Sequence, residues 1–243
     1  VLVALVEMLL ATEHVLEETF LEGVMHYGKM TGVQLYWPVL AGCLAGCLFS
    51  YWWMHIKHFN YLRLIIIGLA GVILYLLGYY STISSDIHIS QLYLPMACRG
   101  FGYAVLSVTF LTCAEEIMSF QHFFQSLAVF QMLHMVMGGV IGAAVYTRDL
   151  KYYIPDNMAR YGAAIDNVAA NDVPVNIPHF METFMPQMTE ISIKQIYGWA
   201  AYACILLFLL FLLYDAPIRR ELKQMPSWQK IRQKIAESFA DKK

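Results

Sequence analysis

An arginine stands among apolar residues at Pro95-Met-Ala-Cys-Arg99-Gly-Phe-Gly-Tyr103, about seven positions into a run with no other charge. A guanidinium in hydrocarbon is costly enough that it must face an acid, an anionic ligand or water. The alternative is a side chain that snorkels to a nearby membrane interface. The first segment is acidic, with Glu7, Glu13, Glu17, Glu18 and Glu22 beside His14. Glu7, Ala11, His14 and Glu18 are spaced four, three and four, which puts them on one face of a continuous helix. Glu7 lies deepest among apolar neighbours. Desolvation there disfavours the charged carboxylate, which suits an acid that exchanges protons. Glu17, Glu18 and Glu22 read as a solvated helix end. Gln131, His134, Gly138 and Gly142 form a second stripe, spaced three, four and four. His134 is either a hydrogen-bonded interior histidine or a ligand contact.

The chemistry these residues exclude is as useful. His55 and His58 are a close pair with no further ligands in sight, so no metal is expected. No nucleophile triad, phosphate loop or repeated histidine box is present, and the expectation is a protein that is not an enzyme and holds no cofactor. The five cysteines, Cys43, Cys47, Cys98, Cys113 and Cys204, all sit in apolar runs as packing residues. A net charge of −2 with no basic stripe gives no reason to expect nucleic acid.

The elements that must position these groups are membrane helices. The 243 residues are 59% hydrophobic and 14% charged, with mean hydropathy +0.52, against about 25% charged in a soluble domain. Ile196–Tyr214 carries no charge at all, and roughly 20 such residues cross a bilayer core as a helix. Six spans are expected: Val1 to about Leu21, Leu35–Trp53, Leu62–Tyr80, Leu92–Ala114, Phe123–Tyr146 and Ile193–Tyr214. The opening Val-Leu-Val-Ala-Leu-Val has no initiator Met, so the first span reads as truncated, the chain being the C-terminal part of something longer. Gly42 with Gly46, and Gly138 with Gly142, are small-xxx-small pairs for close helix contact, and Gly100 and Gly102 let a backbone approach Arg99. The expected fold is all-α, a polytopic bundle over residues 1–214. A polar loop at 147–192 is broken by Pro155, Pro174, Pro178 and Pro186 and caps one end. The tail at 215–243 is basic and amphipathic, with Trp228, Ile231, Ile235 and Phe239 on one side. Lys57, Arg63 and the basic tail place the second-to-third-span loop and the C-terminus in the cytoplasm by the positive-inside rule.

The segment Leu94-Pro-Met-Ala-Cys-Arg99-Gly-Phe-Gly102 resembles the Pro-x-x-x-Arg-Gly-x-Gly helix start of the fourteen-helix drug:proton antiporter group (EmrB/QacA-like) of the major facilitator superfamily. Phe124–Arg148, with Gln131, Gly138, Gly139 and Gly142, resembles that group's penultimate helix. In the loop at residues 50–63 the basic residues of the family signature stand without its Gly and Asp. The resemblance implies the C-terminal six helices of an inner-membrane secondary transporter, working against an N-terminal half absent from this sequence. Its implied activity is proton-coupled efflux of drugs or other amphipathic small molecules. Arg99, Glu7, His14, Gln131 and His134 would line the substrate and proton pathway. Two rival readings stay open: a non-transporting membrane scaffold, which needs no polar cavity, and a membrane-embedded lipid-modifying enzyme, which needs His14, His134 and glutamates to converge.

Overall fold

The computed structural model describes residues 2–28, 32–57, 61–84, 87–117, 120–169 and 177–213. Among these the regular structure is all helix, with no strand. α1 spans Leu2–Leu10, α2 Tyr36–Lys57, α3 Tyr61–Thr82 and α4 Tyr93–Ile117. α5 covers Phe120–Leu133 and runs through a π-helical stretch, His134–Gly142, into α6, Ala143–Ala169. α7 is Ile177–Leu213. Five helical segments are long and apolar enough to cross a membrane: Tyr36–His55, Tyr61–Thr82, Ile89–Glu115, Leu127–Gly162 and Phe184–Leu213. Their outer faces carry large apolar side chains such as Trp37, Leu44 and Leu48 on α2 and Leu206, Leu209 and Leu213 on α7. Lipid is the solvent that suits such surfaces.

Two expectations change. The first segment is not one helix. After α1 it tightens into a 3₁₀ turn at Ala11–His14, makes a single α-turn at Leu16–Glu18 and widens into π turns at Thr19–Val24. It ends at His26, whose φ of 53° is left-handed. Ala11–Val15 contains neither Pro nor Gly, so no breaker announces the change. The polar loop expected at 147–192 is helical over most of its length. α6 carries the fifth span onward through Pro155, and α7 begins at Ile177 and passes through Pro186 before entering the membrane run. An interior proline costs a helix about 3 kcal/mol, and contacts between the two extensions offset it. Asn157 is buried and donates to the Ser192 hydroxyl at 2.9 Å and to Gln195 Oε1 at 3.4 Å. The basic tail at 215–243 lies outside the described residues.

The bundle is stitched by glycines. A Cβ on Gly42 would overlap the carbonyl oxygen of Ala97, and one on Gly100 the carbonyl oxygen of Val39. Gly46 meets the Phe101 carbonyl, so α2 and α4 touch backbone to backbone over more than one turn. On the other side of α4, Gly102 faces the Val72 amide and Gly71. α4 is therefore held between α2 and α3 with little room to shift. Gly138 lies against the Glu7 backbone and Gly142 against Ala11 and Met8, which draws α1 onto the π stretch. The core proper joins Leu69, Val72, Tyr75, Leu76 and Tyr79 of α3 to Ile193, Ile196, Tyr197 and Cys204 of α7, with Leu16 and Phe20 of the broken segment between them.

Candidate functional site

Two polar constellations adjoin α4, one at Arg99 and one at Tyr103, a helical turn further on. The deeper one pairs α1 with the π stretch. Glu7 is buried, and its Oε2 lies 2.6 Å from His134 Nδ1. The imidazole is 37% exposed, and its ring centre lies 6.0 Å from that of Tyr103, the two planes tilted by 42°. At 2.6 Å the two groups share at least one proton, because a bare carboxylate and an unprotonated ring nitrogen would repel. Gly138, one turn beyond His134, packs against Glu7. A cavity of about 510 Å³ opens beside the pair. Glu7 and Ala11 supply one wall, Val39 and Cys43 of α2 another, Arg99 and Tyr103 of α4 a third, and Gln131 and His134 the fourth. Gln131 is exposed and faces this space.

The second constellation resolves the arginine. Arg99 is buried, and its Nη1 reaches both carboxylate oxygens of Glu17, at 3.1 and 3.2 Å. Glu17 is 6% exposed, so the expectation that it forms a solvated helix end is corrected. The reason is the change of helix type at Ala11–His14. In a continuous α-helix at about 100° per residue, Glu18 would follow Glu7 on one face with Glu17 about 80° away. The tighter turn rotates Glu17 inward, and the single stripe Glu7, Ala11, His14, Glu18 does not form. Glu7 and Ala11 face the deep cavity, while Glu18 and Glu22 are exposed and border a different one. The side chain of His14 lies outside the described residues.

Glu17 has a second anchor. The Tyr75 hydroxyl donates to Glu17 Oε1 at 2.5 Å. Tyr75 lies 2.9 Å from Thr12 Oγ1 and 3.3 Å from the Tyr197 hydroxyl. A phenol has one hydrogen, and Glu17 takes it, so Thr12 and Tyr197 donate to Tyr75. The guanidinium also sits 5.9 Å above the Tyr75 ring, within cation–π range. A buried ion pair is tolerable only when further hydrogen bonds satisfy its members, and this tyrosine relay provides them. From sequence alone Thr12, Tyr75 and Tyr197 have no polar role, and Glu17 reads as solvated. The available signal was the arginine itself, which demands an acid on a facing element.

A cavity of about 300 Å³ lies on the far side of this pair, near the N-terminal ends of α2 and α4, bordered by Glu17, Glu18, Glu22, Tyr36 and Arg99. His55 is exposed and stacks on Tyr51, while His58 lies outside the described residues. No disulfide joins any of the five cysteines. Among the described residues no three His, Cys, Asp or Glu side chains come together as a metal-ligand group. Comparison of the chain with protein-family models, curated proteins and solved structures returns no match.

Proposed function

We propose that this chain is the cavity-forming part of a secondary active transporter that exchanges protons for amphipathic small molecules. The observation that carries the reading is the deep cavity walled by four separate elements, with the Glu7–His134 pair on its surface. A mostly apolar cavity with a few placed polar groups between membrane helices is where transporters hold their cargo. The acid–imidazole pair gives it a group that takes up and releases a proton as the space fills and empties. Leu10, Val39 and Met135 supply apolar surface for the rest of the molecule. The resemblance to the drug:proton antiporters extends the proposal to efflux from the cytoplasm across the inner membrane, with the C-terminus cytoplasmic and a second half of the same transporter opposite this one.

A scaffold accounts for the glycine contacts but has no use for the cavity. The lipid-modifying enzyme has no particular geometric feature in its favour. The test is flux of a fluorescent amphipathic compound in proteoliposomes containing the full-length protein, both halves included, under an imposed pH gradient. Gradient-driven flux is expected from the wild type and not from Glu7→Gln. Equal flux from both would remove Glu7 from the mechanism, and no flux from the wild type for any amphipathic compound would remove the function.

A further inference from the structure

We propose that the Arg99–Glu17 ion pair is a gate between the two cavities it separates. Arg99 borders both spaces, whereas Glu17 borders only the one near the helix ends. The pair is thus the shared wall, with the exposed Glu18 and Glu22 on one side and the Glu7–His134 pair on the other. Val39 also borders both spaces, but its carbonyl is locked against Gly100 and does not yield.

The two partners differ in how they are held. Arg99 rides on α4, which is clamped between α2 and α3 by backbone contact at Gly42, Gly100 and Gly102. Glu17 rides on a single α-turn between a 3₁₀ turn and π turns. It is tied to the bundle by the Tyr75 hydroxyl, with Thr12 behind it. Switching such turns between helix types moves a side chain around the axis without unfolding the segment. When Glu17 withdraws, Arg99 still borders the deep cavity, which Glu7 also lines. The gate rests on the proposed function for the purpose of the deep cavity, but its test does not use transport.

Cys43 borders the deep cavity and serves as the reporter. The full chain is placed in sealed vesicles with Cys47, Cys98, Cys113 and Cys204 replaced by Ala. The probe is a membrane-impermeant trimethylammonium methanethiosulfonate. A separate Gly28→Cys variant, on the other cavity, identifies the side of the membrane from which the reagent must arrive. From that side, Cys43 should label slowly in the parent and at least about tenfold faster in Glu17→Gln, following the rise in the open population. Arg99→Glu combined with Glu17→Arg should return the rate toward the parent value. Tyr75→Phe keeps both charges but removes the second anchor of Glu17, and should give an intermediate rate. If the charge variants fail to fold, Tyr75→Phe decides alone, acceleration supporting the gate and the parent rate overturning it. Parent-rate labelling in folded Glu17→Gln also overturns it, as does a charge swap that stays fast. A protein that labels as expected yet moves no solute keeps the gate and loses the transporter.

Discussion

Glu17 was hidden in the sequence by being one of five glutamates within sixteen positions, Glu7 to Glu22. Helical periodicity selects Glu18 as the companion of Glu7, and the chain selects Glu17 for burial because its turn type changes at Ala11. Arg99, by contrast, was legible from its cost alone. Tyr75 reads as one more aromatic in an apolar run, and only its neighbours Thr12 and Glu17 make it polar machinery. The arrangement predicts how the pair responds to loss. Glu17→Ala leaves a buried guanidinium without its carboxylate and should cost about 3–5 kcal/mol, seen as a lower unfolding temperature in detergent. Replacing both partners, Glu17→Leu with Arg99→Met, should recover most of that loss. If the double variant is as unstable as the single one, the pair is not the stabilising feature described here. For the deeper pair, Glu7→Gln keeps a polar group beside His134 but removes the exchangeable acid. Its flux should no longer respond to the pH gradient, although the fold and compound binding persist.

At the scale of elements, apolar run length located five spans, because hydrocarbon leaves the backbone few alternatives to a helix. It missed the helical extensions at 147–169 and 177–192, where prolines and polar residues read as breaks. What overrides them is tertiary: Asn157 bridges α6 to Ser192 and Gln195 on α7. Asn157→Ala should therefore loosen the two extensions together and speed proteolysis between α6 and α7, and unchanged cleavage would contradict the bridge. The glycines separate into two kinds that spacing cannot distinguish. Gly100→Val drives a side chain into the Val39 carbonyl and should separate α2 from α4, with loss of folded protein on size exclusion. Gly139 has nothing within 4 Å of a would-be Cβ, so Gly139→Ala should stay within about 1 kcal/mol of wild type, the scale of helix propensity. Equal damage from both would mean that backbone contact is not what holds α2 to α4.

Across the whole molecule, the irregular parts meet where the polar groups are. The π stretch at His134–Gly142 pairs through His134 with Glu7 on α1 and packs through Gly142 against Ala11, where the 3₁₀ turn begins. Regular helices α2, α3 and α4 form the frame around them. Non-α turns recur at functional sites because they re-aim side chains at small cost: here the π stretch presents His134 to the cavity, and the 3₁₀ turn swings Glu17 toward Arg99 while Glu7 stays on the regular helix α1. The function that follows is an exchange, so the most direct measurement counts both sides of it in the same vesicles. Proton movement is read with a luminal pH dye, and solute movement with a fluorescent amphipathic compound. The account predicts that adding compound to wild-type proteoliposomes drives protons in the opposite direction, and that Glu7→Gln abolishes this proton movement. Solute flux with no accompanying proton movement in the wild type would contradict it.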